Sequence, residues 1–163
     1  MSLFSERTVI RDLYDDVEKY SGKKITVCGW VRSIRSSNAL GFVTLNDGSC
    51  FNCLQIVFES EKIDNYKEIT SQNTSASLVI EGIVVLTPDS KQPFELNACK
   101  IDIEGTSTPD YPLQPKKHSL EFLRSIAHLR PRSNTFNAVF RVRSAAAFAL
   151  HKFFNENGFV YVN

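Results

Sequence analysis

No apolar run in the 163-residue sequence approaches the ~18 residues that a membrane span needs. The opening stretch, MSLFSERTVIRDLYDD, has no basic segment followed by an apolar one, so no secretory leader is expected. Cysteine is sparse. Without a leader, Cys28, Cys50, Cys53 and Cys99 are expected to remain reduced thiols in a cytoplasmic protein. A large excess of charge is lacking too: the formal net charge is +1, which selects neither nucleic acid nor membrane as a partner. The sequence has no phosphate-binding GxxxxGK, no HExxH, no GxSxG and no dinucleotide fingerprint. His118, His128 and His151 have no evident partner constellation, and Asp15-Asp16 reads as a solvated helix surface. No catalytic site is assembled from these residues.

What is present is a core-forming composition. Leu, Ile, Val and Phe make up about 30% of the chain, too much for a disordered or collagen-like polypeptide. Charge is also unevenly placed. Residues 105–163 carry eight basic and three acidic side chains, which suits either contact with phosphate or a solvated helix face. Residues 22–46 carry Lys23, Lys24, Arg32 and Arg35 and no acid at all.

Hydrophobic spacing predicts a first helix capped by Thr8 and running through Val9, Ile10, Leu13 and Val17, with Ser21-Gly22 as its stop. The period then changes to two. In ITVCGWVRSIR, Ile25, Val27 and Val31 share one face and Thr26, Cys28, Trp30 and Arg32 the other, with Gly29 as the expected bend or bulge. Further strands are predicted at 41–45 and 52–58, joined through the turn residues Asn46-Asp47-Gly48. A short helix with Ile63, Tyr66 and Ile69 precedes a fourth strand at 77–86. A turn-rich loop at 87–93 leads to a fifth strand at 94–103. Five short strands with a helix between the third and fourth fit the Greek-key barrel of the OB-fold, with a split β-sandwich as the competing arrangement.

The proline-rich segment GTSTPDYPLQPKK reads as a hinge, dividing the chain into 1–104, 105–117 and 118–163. Beyond it a short helix is expected at 119–129, ended by Arg130-Pro131. A long helix at 134–157 follows, with an apolar stripe of Phe136, Val139, Phe140, Ala147, Leu150, Phe153 and Phe154. Gly158 is its expected end, and Phe159-Val160-Tyr161-Val162 is expected to begin a strand. So long a stripe needs a cover: the barrel, a second copy, or more chain. The last is the reading adopted here, a piece of something longer.

Cys50-Phe-Asn-Cys53 has the spacing of half a zinc site, but no second Cys or His pair completes it, and no metal is expected. Interleaving of Trp30 and Phe42 with the basic residues suits single-stranded nucleic acid, where cations meet phosphate and rings stack on bases. The same rings could equally be core residues.

The segments ITVCGWVRSIR, LGFVTLNDGS and LQIVF resemble the anticodon-binding OB domain of class IIb aminoacyl-tRNA synthetases, the enzymes for Asp, Asn and Lys. Past the hinge, HLRPRSN, FRVRS and FFNENGF are similar to the bacterial-type asparaginyl-tRNA synthetase family, whereas aspartyl enzymes typically show a YLDLR-type segment there. The resemblance spans about residues 8–163. It implies that Phe42 stacks on the central anticodon uracil, that Arg35 and Gln55 hydrogen-bond that base, and that Glu95 faces the first base. It also implies that the C-terminal segment is class II motif 1, part of a homodimer interface and the start of the catalytic domain.

The family's motifs 2 and 3, which hold ATP and the aminoacyl-adenylate, have no counterpart before Asn163. The resemblance therefore implies the N-terminal portion of an asparagine–tRNA ligase. The intact enzyme would use ATP, Mg2+ and asparagine to charge tRNA(Asn), and the 163 residues alone would support no ATP–pyrophosphate exchange. Two other functions compete: a sequence-tolerant single-strand binder, which would lose little when Gln55 becomes Ala, and a dimerisation module that binds no RNA.

Overall fold

A computed structural model describes residues 6–90 and 92–162. Residues 1–5, Lys91 in the predicted loop at 87–93, and Asn163 at the end of the predicted last strand lie outside the described residues. The chain divides into two compact units, one up to Pro115 and one from Lys116 onward.

The first unit is a closed five-stranded barrel, the OB-fold expected from the strand pattern. After a helix α1 (Ile10–Asp15) come β1 (Lys24–Ser36), β2 (Leu40–Asn46), β3 (Leu54–Glu59), the short helix α2 (Tyr66–Thr70), β4 (Ser77–Leu86) and β5 (Phe94–Gly105). The strand order is β1-β2-β3-β5-β4. Closure depends on β1 serving two neighbours. Its first half pairs antiparallel with β4, from Lys24 opposite Ile83 to Trp30 opposite Ser77, and its second half with β2. A short parallel contact, Ile56 opposite Leu96 and Val57 opposite Asn97, joins β3 to β5. Alternating residues fill the interior: Val43 and Leu45 of β2, Leu54, Ile56 and Phe58 of β3, and Phe94 and Leu96 of β5 are all buried. Ile10 and Leu13 of α1, with Ile63 and Ile69 around α2, belong to the same core cluster.

The irregularity in β1 falls later than expected. Register shifts between Val31 and Ser33, making Arg32 the extra residue, while Gly29 pairs regularly with Leu78. Glycine is needed at 29 for space, since a Cβ there would lie 2.9 Å from the Asn46 carbonyl oxygen and 3.0 Å from Leu45 Cγ. The bulge has a consequence for sidedness. Val27 and Val31 point inward, and one inserted residue lets Ile34 pack on the core while Arg35 stays exposed.

Helix α1 also departs from expectation. Its N-cap is Val9 without a side-chain cap bond, and Thr8 instead donates its backbone N–H to Thr26 O (2.7 Å). Capping comes from the distant β2–β3 turn: Ile10 N–H donates to Asp47 Oδ2 (2.9 Å) and Arg11 N–H to Ser49 Oγ (3.0 Å). Asp47 Oδ1 meanwhile accepts from Ser49 N–H (2.9 Å). Val17 packs on the core from outside the helix, which stops at Asp15; two acids at a helix C-terminus oppose its dipole. Asp47→Ala is expected to lower stability by about 1–2 kcal/mol, the usual worth of an N-cap, as a fall in the urea midpoint with the slope unchanged.

In the second unit, α3 (Leu120–Ser125) is capped by Ser119, whose Oγ accepts from Phe122 N–H (3.2 Å). It is shorter than the predicted 119–129, and the chain passes through a 3-10 turn at Arg130–Arg132 containing Pro131. The long helix α4 (Asn134–Glu156) begins at Ser133, whose side chain accepts from Phe136 N–H. The Arg130 guanidinium lies over the Phe136 and Phe140 rings, 5.1 and 5.6 Å from their centroids. At the other end Phe159 N–H donates to Phe154 O (3.0 Å) and Gly158 N–H to Asn155 O (3.1 Å), closing the helix at Gly158 as expected.

Phe159–Val162 is not a strand. No neighbouring strand is present among the described residues to complete its ladder. The segment instead turns its rings to α4, with Phe159 5.5 Å from Phe154 and Tyr161 4.8 Å from His151 between ring centroids. No residue of α4 is buried: in its apolar stripe Phe136 and Phe140 are half-buried, and Val139, Ala147, Leu150, Phe153 and Phe154 are exposed. No described helix is long and apolar enough to cross a membrane.

Candidate nucleic-acid interface

The alternation that sends Val43, Leu45, Ile56 and Leu96 inward turns their neighbours outward onto one surface shared by four strands. Arg35 of β1 stands directly opposite Phe42 of β2, and Phe42 opposite Val57 of β3. One step along the hairpin, Ser33 faces Thr44 and Thr44 faces Gln55. The Ser33 hydroxyl donates to Thr44 Oγ1 at 3.1 Å. From Gln55 the surface continues to β5, because Gln55 Nε2 donates to Glu95 Oε2 at 3.3 Å across the parallel closure of the barrel. Arg35 is exposed, and Phe42, Gln55 and Glu95 are half-buried.

All four residues singled out by sequence therefore lie on one continuous outer face, although they come from four strands and span 60 positions of chain. Ser33, Thr44, Val57 and Asn97 share that face and were not singled out. Their signal is available in the pattern, since each alternates with a core residue on its strand. Trp30 is also outward and 43% exposed, but sits toward the other end of β1, opposite Asn46.

Chemically the face offers a flat ring, a guanidinium, an amide and a carboxylate, the last two hydrogen-bonded to each other. The Gln55–Glu95 bond fixes the amide orientation. One Nε2 hydrogen goes to the carboxylate, leaving Oε1 as an acceptor. An edge presenting carbonyls and one N–H would complement a guanidinium and an amide of this kind.

The cysteines take no part in this face. All four are free, with Cys28 buried and Cys99 exposed. The third strand, expected from 52, begins at Leu54, so Asn52 and Cys53 belong to the preceding loop. Burial pushes the Cys53 thiol up, opposed by the charge of Arg32 and a hydrogen bond from Asn46. Among the described residues no three His, Cys, Asp or Glu side chains gather as a metal ion requires.

Residues 25–104 match the family described as an OB-fold nucleic acid binding domain. The chain is 59% identical over 156 residues to an asparagine–tRNA ligase of Acetivibrio thermocellus, covering 96% of this chain and 34% of that protein. With an asparagine–tRNA ligase of Bacillus cereus it shares 57% over 158 residues, covering 97% of this chain and 34% of the relative. It thus spans about a third of the length of the curated relatives it matches. In fold it is similar to the crystal structure of asparaginyl-tRNA synthetase from Pyrococcus horikoshii, with a TM-score of 0.84 at 19% identity over 97% of this chain and 37% of that one. An aspartyl tRNA synthetase from Entamoeba histolytica shares the fold at a TM-score of 0.79 and 20% identity. By sequence, then, the chain is similar to asparagine–tRNA ligases along nearly its whole length, over about a third of theirs.

Proposed function

We propose that the outer barrel face binds the anticodon of tRNA(Asn), reading its central uracil with Phe42, Arg35 and Gln55 and its first base with Glu95. The observation that carries this reading is the joining of four strands' side chains into one surface, with Gln55 tied to Glu95 at 3.3 Å. Phe42 supplies a stacking platform indifferent to base identity. Discrimination falls to the polar pair: Arg35 donates to uracil carbonyl oxygens, and Gln55 Oε1 accepts the uracil N3–H. Glu95 can accept the N1–H and N2–H of guanine, the first base of the GUU anticodon.

In this reading residues 1–104 are the anticodon-binding domain, 105–117 the hinge, and 118–163 the start of the catalytic domain with its homodimer-forming motif 1 region. The whole cytoplasmic enzyme attaches asparagine to tRNA(Asn), with ATP supplying the adenylate and Mg2+ balancing its phosphates. The described residues bring no metal-binding cluster to that step, and their part is to hold the anticodon.

Glu95→Ala tests the coupling. It removes the partner of guanine and the brace of Gln55 together. Against a GUU anticodon stem-loop, preference for guanine over adenine at the first base is expected to fall roughly tenfold, by loss of charge-assisted hydrogen bonds. Preference for uracil over cytosine at the centre should fall as well. Unchanged preferences at both bases in competition binding at fixed salt would remove Glu95 from the site.

A further inference from the structure

On the outer face Gln55 stands opposite Thr44 and is bonded to Glu95, so the first base of the anticodon reading lies level with Thr44. Phe42, under the central base, is two residues nearer the start of β2. A strand running from Glu95 to Phe42 therefore reaches Leu40 next, a further two residues on, about 7 Å at strand spacing. Gly41 and Val43 face the barrel interior, so Leu40 shares the outer side with Phe42. It is 38% exposed and lies outside the core cluster.

The β1–β2 turn that carries Leu40 is held from two sides. The Tyr66 hydroxyl of α2 donates to Ser37 O (2.7 Å), and Ser60 N–H, just past β3, donates to Ala39 O (2.9 Å). Leu40 N–H itself donates to Ser37 Oγ (3.2 Å). A side chain on a backbone fixed in this way loses little freedom when a ligand covers it.

Between this turn and α2 the surface opens into a groove of about 830 Å3. Ser36, Asn38 and Ser60 line it with hydroxyl and amide groups. Its charged side chains, Asp64, Lys67 and Glu68, leave a net negative charge. That setting suits the polar edge of a neutral base and disfavours a phosphate.

We infer that Leu40 and this groove form the subsite for the third anticodon base, the one 3′ of the central uracil. Leu40 is the apolar floor under its ring, and the groove meets its polar edge. The inference rests on the anticodon reading above, which supplies the direction of the strand.

The test titrates the 163-residue chain with a GUU stem-loop and with versions abasic at the third or at the first anticodon position. Leu40→Ala is expected to weaken the intact hairpin roughly five- to thirtyfold, for the apolar area that the base and the leucine keep from water. That penalty should vanish on the hairpin abasic at the third position and persist on the one abasic at the first. Leu40→Met should keep most of the affinity, and the urea midpoint of both variants should stay close to that of the parent chain. Lys67→Gln should leave the log-log salt slope unchanged.

Wild-type affinity in Leu40→Ala, with Phe42→Ala still weakened, would overturn the subsite and leave the anticodon reading standing. So would a Leu40 penalty that vanished only on the hairpin abasic at the first position. A salt slope flattened by about 0.7 in Lys67→Gln, the value for one phosphate of a single strand, would put the backbone in the groove in place of the base and overturn it too. Wild-type binding by Phe42→Ala would bring down both readings.

Discussion

Phe42→Ala is expected to weaken binding of a GUU anticodon stem-loop by about 1–3 kcal/mol, roughly five- to 150-fold, the measured worth of stacking one base on one ring. The ring sits on the outward side of β2 between Arg35 and Val57, while Val43 beside it fills the core. Its loss should therefore leave no cavity in the barrel, and the unfolding midpoint should move by no more than about 0.5 kcal/mol. Stacking is indifferent to base identity, so hairpins with uracil and with cytosine at the centre should weaken by the same factor. Phe42→Tyr should restore most of the affinity. Isothermal titration at fixed salt, paired with a thermal melt, reads both quantities. A large loss of stability with little loss of binding would mean that Phe42 works as a packing residue.

The neighbouring substitution is expected to do the reverse. Gly41 precedes Phe42 on β2 and points inward, where an added Cβ would fall on the ring of Phe58. That ring cannot easily give way. It is 1% exposed in the middle of the core and tilted against Tyr66, with centroids 5.3 Å apart. Overpacking of this kind costs about 1–3 kcal/mol, and contact with a locked aromatic places Gly41→Ala toward the upper end. The expected result is a fall of about 2–3 kcal/mol in unfolding free energy from urea denaturation. RNA affinity should be lost only in proportion to unfolded protein and to any displacement of Phe42. Adjacent residues on opposite faces of one strand thus separate stability from binding.

Much of the barrel was legible in the sequence because its strands alternate. The fourth strand spans Ser77–Leu86 as its pattern indicates, and Val27 and Val31 of the first strand are both buried on the face their spacing gave them. Elements failed where the deciding partner is remote. The cap of α1 is Asp47, 37 residues away from the Ile10 N–H it accepts, so local spacing pointed to Thr8 instead. The β1 bulge sits at Arg32 because that strand must pass from β4 to β2, a requirement of closure that no single segment displays. Phe159–Val162 has strand-forming residues but no neighbour among the described residues, and its rings found α4.

The site divides in the same way. Aromatics interleaved with basic residues were visible in β1 and β2, but whether the rings faced outward or into the core was not. Gln55 and Glu95 carry no local signal and entered only through resemblance to the synthetases. Their contact exists because β3 and β5 close the barrel in parallel.

The most direct measurement is a competition titration of the unmodified chain with two anticodon stem-loops, GUU and GCU, identical but for the central base and read at one salt concentration. Cytosine replaces an N–H donor with an acceptor and a carbonyl with an amino group, so Gln55 Oε1 and Arg35 each lose a partner. Unpaired groups of this kind cost about 1–3 kcal/mol. The expected result is a preference for GUU of about tenfold or more, reduced towards unity by Gln55→Ala. Equal affinity for the two hairpins would contradict the account, leaving a barrel that binds single strands by charge and stacking alone.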